Sequence, residues 1–444
     1  MNSKLKATTQ KDDASILEPK LRFVEFQNTG PWTIVSLASV AKINKEKVRD
    51  NTCIPMSITS GVGLVSQMEK FGRVIAGESY KNYLLLKKHD FAYNKSATKE
   101  YPEGYIALYT GEELAAVPNS IFTCFRIKGD SPVPQYLNYL FLGNLHGRWL
   151  RKFIEVGARA HGSLSIKDSD LMALQVPVPA GSNSLKEQEK IADCLASVDT
   201  LIEVQGRKVE VLRTHKKGLM QQLFPQEGES QPHLRFPEFE EAEEWRATTL
   251  RALIQLQSGF AFSSDFFGSA GKKLVTPKNF TQFGFGNFDV AITKYTTEEV
   301  PEKYVCRPGD LLVLLTDLTP TCELLGKPLE ITDEDGVVLL NQRIARVEPI
   351  SGDVTTSFLK QYFLTSPFNQ VIVKTATGST VKHSSNKTIL DMDIILPHPA
   401  EQKRIADCLN SLDNLIAAET RKLDTLRTHK KGMMQQLFPL VAEE

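Results

Sequence analysis

The chain has 444 residues, 41% of them apolar, and carries 53 basic and 53 acidic side chains. That length exceeds what one hydrophobic core supports and suits two domains with connecting elements. The longest apolar stretch, near 311–315, is far short of a bilayer span, the first residues lack a secretory signal, and the six cysteines form neither a C-x-x-C pair nor a zinc-spaced cluster, so a cytoplasmic protein with free thiols and no membrane partner is expected. Residues 1–18 are expected to be a disordered lead. Residues 19–180 form an α+β domain, with strands at 82–86, 104–109 and 121–127, a helix over 135–156 and a strand at 174–179. A long helix spans 187–223 within a segment running to Pro225. An acidic linker, 226–233, leads to a second α+β domain over 234–399. There the apolar runs predict strands at 310–315, 337–347 and 392–397 and a helix over 356–374. A second long helix fills 401–437, within a segment ending at Pro439, and 440–444 is a tail.

The two long helices say nearly the same thing twice. EQEKIADCLASVDTLIEVQGRKVEVLRTHKKGLMQQLFP at 187–225 aligns without a gap with EQKRIADCLNSLDNLIAAETRKLDTLRTHKKGMMQQLFP at 401–439. A shorter echo precedes each domain: Leu21-Arg22-Phe23-Val24-Glu25-Phe26, then Trp32, against Leu234-Arg235-Phe236-Pro237-Glu238-Phe239, then Trp245. The material between the echoes is not visibly repeated. Like scaffolds therefore carry two unlike inserts, and a repeat of this kind governs the fold.

Along each helix the apolar positions step by four and three, the signature of a heptad seam. In the first copy they are Ile191, Leu195, Val198, Ile202, Val209, Leu212, Leu219 and Leu223. In the second they are Ile405, Leu409, Leu412, Ile416, Leu423, Leu426, Met433 and Leu437. The seam has polar breaks at Gln205 and Lys216, repeated at Glu419 and Lys430. Each helix is roughly 55 Å long at ~1.5 Å per residue. No linker here spans that length, so the helices are expected to lie antiparallel, giving a pseudo-two-fold, nearly circular arrangement with Phe438 returning to Phe23 and Phe26. Two helices that pack only on their own domains are the plainer alternative. The basic run 213–217, echoed at 427–431, is either a solvated helix end that complements the dipole or a contact to a partner or to phosphates.

Charge is unevenly placed. Residues 1–225 carry 30 Lys+Arg against 23 Asp+Glu, and the remainder carries 23 against 30. Residues 251–400 hold 14 basic against 16 acidic side chains. Any phosphate neutralisation there would fall largely to a partner chain.

The P-x-LRF-x-EF lead, the EQ-x-x-IA-x-x-L opening of each long helix and the HKKG-x-MQQLFP close together resemble the specificity subunit of type I restriction–modification systems. Nearly all of 20–439 is covered. Tyr93-Asn94-Lys95-Ser96 with Tyr101-Pro102 and Gly104 resembles one class of target-recognition domain. The runs 259–262, 307–310, 341–342 and 378–381 resemble another. The resemblance implies that each insert contacts one half of a bipartite, asymmetric double-stranded DNA target. It implies that the helix pair sets their spacing and docks two modification (methyltransferase) subunits, with two restriction (translocase/nuclease) subunits joining the complex. S-adenosylmethionine, ATP and Mg are then expected on those partners and no cofactor on this chain. A tandem protein-interaction scaffold built on the helix pair is the alternative from another class.

Base edges call for Asn, Gln, Arg or Lys, and phosphates for Lys, Arg, Ser and Thr. On those grounds the DNA-contact candidates in the first insert are Arg73, Tyr93, Asn94, Lys95, Ser96, Lys99, Tyr101, Arg159 and His161. In the second they are Lys278, Asn279, Thr316, Asp317, Gln342, Arg343, Ser379, Thr380 and Lys382. Phe260 and Phe262 favour a core role over base stacking. No catalytic constellation is found: neither Gly61-Val-Gly63 nor Gly284-Phe-Gly286 completes a cofactor loop, Gly326-Lys327-Pro328 lacks the Ser or Thr of a phosphate loop, and no H-E-x-x-H or other metal set occurs. The chain is expected to bind and position, not to catalyse.

Overall fold

The computed structural model describes residues 17–440 apart from 60, 155–163, 318, 320 and 380. Two compact units emerge, one built from residues up to Val204 together with those from Leu423 onward, the other from Gln205–Lys422. Each unit thus contains one insert and part of both long helices, which span Ser184–Leu223 and Pro399–Leu437.

In the first unit, strand Trp32–Ser36 pairs antiparallel with Gln175–Pro179, so the start and end of the insert are stitched together. Between them lie two four-stranded sheets. One runs in the order Ala41–Asn44, Phe122–Ile127, Phe91–Asn94, Tyr105–Leu108, and the other Gly63–Ser66, Ile54–Thr59, Ala115–Val117, Leu84–Leu86. Successive side chains along Phe91–Asn94 and Tyr105–Leu108 enter two different apolar clusters, so both faces are covered and Phe91, Tyr93, Ile106 and Phe125 are almost wholly buried. Helices Pro134–Leu142 and Leu145–Leu150 pack on the first sheet and supply Tyr136, Leu137 and Leu150 to the same core.

The second unit repeats the plan. Strand Arg246–Thr249 pairs antiparallel with Asp393–Leu396. A four-stranded sheet runs Ile254–Ser258, Ile344–Pro349, Leu311–Leu314, Pro328–Glu330, with each strand in the place of its counterpart in the first insert. In the other sheet Lys272–Val275 runs parallel to Val338–Leu340, as Ile54–Thr59 runs parallel to Ala115–Val117. The inserts are therefore unlike in sequence and alike in topology. Two details carry the match to single residues. Asp90 accepts from the backbone N–H of Lys87 and pairs with Arg126 at 2.5 Å, while Asp310 accepts from Arg307 N–H and lies 3.8 Å from Arg346.

The helices expected over 135–156 and 356–374 are each broken in two. In the first, Gly143 and left-handed Asn144 interrupt the run. In the second, Thr356–Phe363 stops before Ser366–Thr375, where Pro367 can supply no N–H to continue the ladder. The long helices start earlier than expected, at Ser184 and at Pro399, a favoured first-turn residue.

Candidate nucleic-acid interface and its helical frame

The repeated sequence motifs join insert to helix. Arg22 donates two hydrogen bonds to Glu187, both at 2.8 Å, and Trp32 Nε1 donates to the same carboxylate at 3.2 Å. Arg235 forks onto Glu401 in the same way, at 2.9 and 2.6 Å. Both glutamates are only 1% exposed, so each depends on its guanidinium for compensation. The hydrogen bonds that Arg22 and Arg235 donate to Glu187 and Glu401 hold the guanidinium pKa of each above the ordinary value. Beside them, Gln188 accepts from Val133 N–H and Gln402 accepts from Thr355 N–H, which fixes the N-terminus of each insert helix. The two tryptophans differ, since Trp245 Nε1 has no partner among the described residues.

The closing motifs return as expected. Leu21 N–H donates to Gln436 O at 2.9 Å in one unit, and Leu234 N–H to Gln222 O at 3.0 Å in the other. Phe438 packs against Tyr136 with Phe23 alongside, and Phe224 against Phe358.

The seam positions turn inward. Ile191, Leu195, Val198, Val209, Leu223, Ile405, Leu409, Ile416, Leu423 and Leu437 are buried, and Ile202, Leu212, Leu219, Leu412, Leu426 and Met433 are half-buried. Within the second unit, Gln205 meets Glu419 and Lys216 meets Asp413, so residue numbers rise on one helix as they fall on the other and the pair is antiparallel. The first unit agrees, with Asp199 against Lys430. The polar breaks are thus paired: Gln205 Nε2 donates to Glu419 at 2.6 Å, Lys208 joins the same carboxylate, and Lys216 Nζ lies 2.7 Å from Asp413. Gln205 and Glu419 occupy equivalent places in the repeat. Asp199 and Asp413, also equivalent, were not singled out from sequence. A lysine inside an apolar seam needs a buried acid, and the acid at the same place in both copies was the available sign. Each aspartate is also held by the middle of an insert helix, through Tyr139 or Gln361. Burial pulls the Lys216 ammonium below its ordinary pKa, and the charge of Asp413 offsets part of that.

Register brings three loops to one end of each insert. Asn94 pairs with Phe122 in the first sheet and Leu314 with Ile344 in the second. The segment after strand Phe91–Asn94 and the turn before Phe122 therefore share an end, as do the segment after Leu314 and the turn before Ile344. The return from the insert helices arrives there too: Leu164 N–H donates to Lys95 O and Ser384 N–H to Leu315 O.

Most of the DNA-contact candidates fall in these loops, but their side chains divide sharply. Lys99, Gln342, Arg343 and Ser379 are exposed, and Ser96 and Lys382 are half-exposed. Lys95 sits 3.8 Å from Asp168. Tyr93 is wholly buried and donates to Glu103 O, and burial lifts its phenol pKa strongly. Asn94 is buried and accepts from Ser96 N–H. Tyr101 packs edge-on against Tyr105. Thr316 is buried against His383, and Asp317 is buried and caps Thr319 and Leu324. Asn279, wholly buried, holds Thr276 N–H and Asn287 O. These buried side chains shape the loops that the exposed ones occupy. Arg73 and Lys278 are exposed. Arg159, His161 and Thr380 lie outside the described residues. Phe260 and Phe262 are half-buried and pack on each other.

Comparison with known proteins bears on this arrangement. Residues 243–428 match the type I restriction modification DNA specificity domain. The MjaVIII specificity subunit of Methanocaldococcus jannaschii is 28% identical over 272 residues, 60% of this chain and 61% of its own length. The putative MjaX specificity subunit of the same organism is 25% identical over 338 residues, 76% of this chain and 74% of its own. The chain is similar to specificity subunits of type I restriction–modification systems. Its fold agrees with that of the S subunit from M. genitalium, at a TM-score of 0.56 and 14% identity over 96% of this chain and all of that one. A chain from a type I R-M complex gives 0.52 and 15% over 92% of this chain and 97% of that one. Among the described residues no helix is long and apolar enough to cross a membrane.

Proposed function

We propose that this chain selects the DNA sequence on which a type I restriction–modification complex acts. Each insert contacts one half of a bipartite, asymmetric target through the loops gathered at one end of its sheets, and the antiparallel helix pair sets the spacing. The observation that carries this reading is that one topology, used twice, gathers its loops at the same end of each insert and exposes different side chains there: Ser96 and Lys99 in one, Gln342, Arg343 and Ser379 in the other. Two readers of the same design with unlike tips suit two unlike half-sites.

The chain has no chemistry of its own in this reading. Two modification subunits supply methyl transfer with S-adenosylmethionine, and two restriction subunits supply ATP- and Mg-dependent cleavage. Leu201, Val204 and Val211 on the first long helix are at least half exposed, and such apolar positions outside the seam suit docking of a modification subunit. The alternative of a scaffold for proteins alone has no comparable support.

Long-read methylation mapping in cells carrying this chain with its modification subunit tests the proposal. Two unlike blocks separated by unread base pairs are expected. A palindromic motif or a single contiguous block refutes it.

A further inference from the structure

The shared topology assigns a role that the sequence of the first insert conceals. In the second insert the turn 341–343 carries the chain from strand Val338–Leu340 in one sheet to Ile344–Pro349 in the other. Its exposed residues are Gln342 and Arg343, and it is anchored where Arg343 O accepts from Leu315 N–H at 2.9 Å. Beside it Gln342 N–H donates to Phe260 O and Phe260 N–H donates to Leu340 O, and Gly259 permits the approach, since a Cβ there would lie 2.1 Å from Asn341 O.

The equivalent turn in the first insert is 118–121, between Ala115–Val117 in one sheet and Phe122–Ile127 in the other. It is anchored by the same bond at the same place, Lys95 N–H to Ile121 O at 2.9 Å. Asn119 and Ser120 are exposed at its tip, and no hydrogen bond occupies either side chain among the described residues. Pro118 fixes φ at its entrance, so the amide is carried on a stiff support.

Resting on the DNA-reading proposal, we infer that 118–121 is a base-reading element of the first insert, with the Asn119 amide directed to a base edge. A free amide can both donate and accept, and the base that matches it in the major groove is adenine, through N6 and N7. The neighbouring Lys99 and Ser96 then serve the phosphates on either side.

The test is Asn119→Ala, with Asn119→Gln as a variant that retains the amide, each expressed with the modification subunit and assayed by methylation mapping and by rates on sites altered at single base pairs. Asn119→Ala is expected to reduce discrimination at one base pair of one half-site by about tenfold or more, with the other half-site unchanged. Asn119→Gln is expected to retain a preference at that same base pair. Thermal unfolding of both is expected to match the parent, since the side chain makes no internal bond. Unchanged preference at every position of a bipartite motif overturns this assignment alone. So does uniform weakening with a reduced salt slope, the mark of a phosphate contact. A palindromic or single-block motif in the parent overturns the underlying reading instead.

Discussion

Lys216–Asp413 and Lys430–Asp199 are the same pair by the repeat but not by environment, and that difference fixes their energetic weight. The Lys216 and Asp413 side chains are 9% and 3% exposed, against 19% and 41% for Lys430 and Asp199. Asp413→Ala leaves an ammonium in the seam with no carboxylate and removes the acceptor of Gln361 Nε2 at 2.9 Å. Truncating one member of a buried pair costs about 3–5 kcal/mol. Asp199→Ala opens a pair that water reaches, and about 1 kcal/mol is expected. Two substitutions that look identical in the alignment should thus differ by about 3 kcal/mol, roughly a hundredfold in local opening. Native-state hydrogen exchange over 208–220 and 409–417, with urea unfolding, measures both. Lys216→Met in the Asp413→Ala background should recover most of the loss. The pH dependence has a defined sign. The folded pKa of Lys216 lies below the unfolded value of 10.5, so the unfolded chain holds more protons in that window and stability rises with pH through it. The Asp413→Ala deficit should therefore shrink towards alkaline pH. Equal losses at the two aspartates, or a deficit that grows with pH, would refute the argument.

Three further outcomes follow from single contacts. His146, buried beneath Tyr93 and Phe141, is held neutral by burial with its pKa lowered to about 4. Between about pH 4 and 6.5 the unfolded chain takes up the proton, so stability falls with falling pH by at most about 3 kcal/mol, and His146→Phe should flatten that part of a urea-unfolding pH profile. Arg22→Ala and Arg235→Ala each strand a buried glutamate and should cost about 3–5 kcal/mol in denaturant unfolding, with Lys a poor replacement because it lacks the fork. Gly378 has φ +97° and a Cβ there would meet Val381 O at 2.1 Å, so Gly378→Ala should displace the 376–383 loop and abolish methylation of the bipartite target while protection from hydrogen exchange in the first unit is unchanged.

The helical frame was legible because its physics is local and periodic. Steps of four and three along 191–223 and 405–437 depend only on near neighbours, and a gapless repeat exposes them twice. Antiparallel packing followed from the reach of the linkers. The partners of the polar breaks were harder to see, since Asp413 lies one place off the heptad and only the packed seam shows that it points inward. The interface was partly legible. Its loops could be guessed from polar clusters between apolar runs, yet composition could not separate Asn94 and Asn279, which tie the loops internally, from Gln342 and Arg343, which stand free. The 118–121 turn carried no sign at all. Pro-Asn-Ser is ordinary turn chemistry, and only the hydrogen bond to Lys95 places it beside the other loops.

The contact of Gln205 with Glu419 has a consequence for self-association. Gln205 contacts its own counterpart in the repeat, so two first copies paired in this register would present like against like. A pair of first copies would gather two Gln205 amides and two Lys208 ammoniums without the Glu419 carboxylate that both now bind. The observed pairing gives both Gln205 and Lys208 an acid to bind. At this contact the two copies have become complementary rather than interchangeable, which favours pairing a first copy with a second over pairing two first copies.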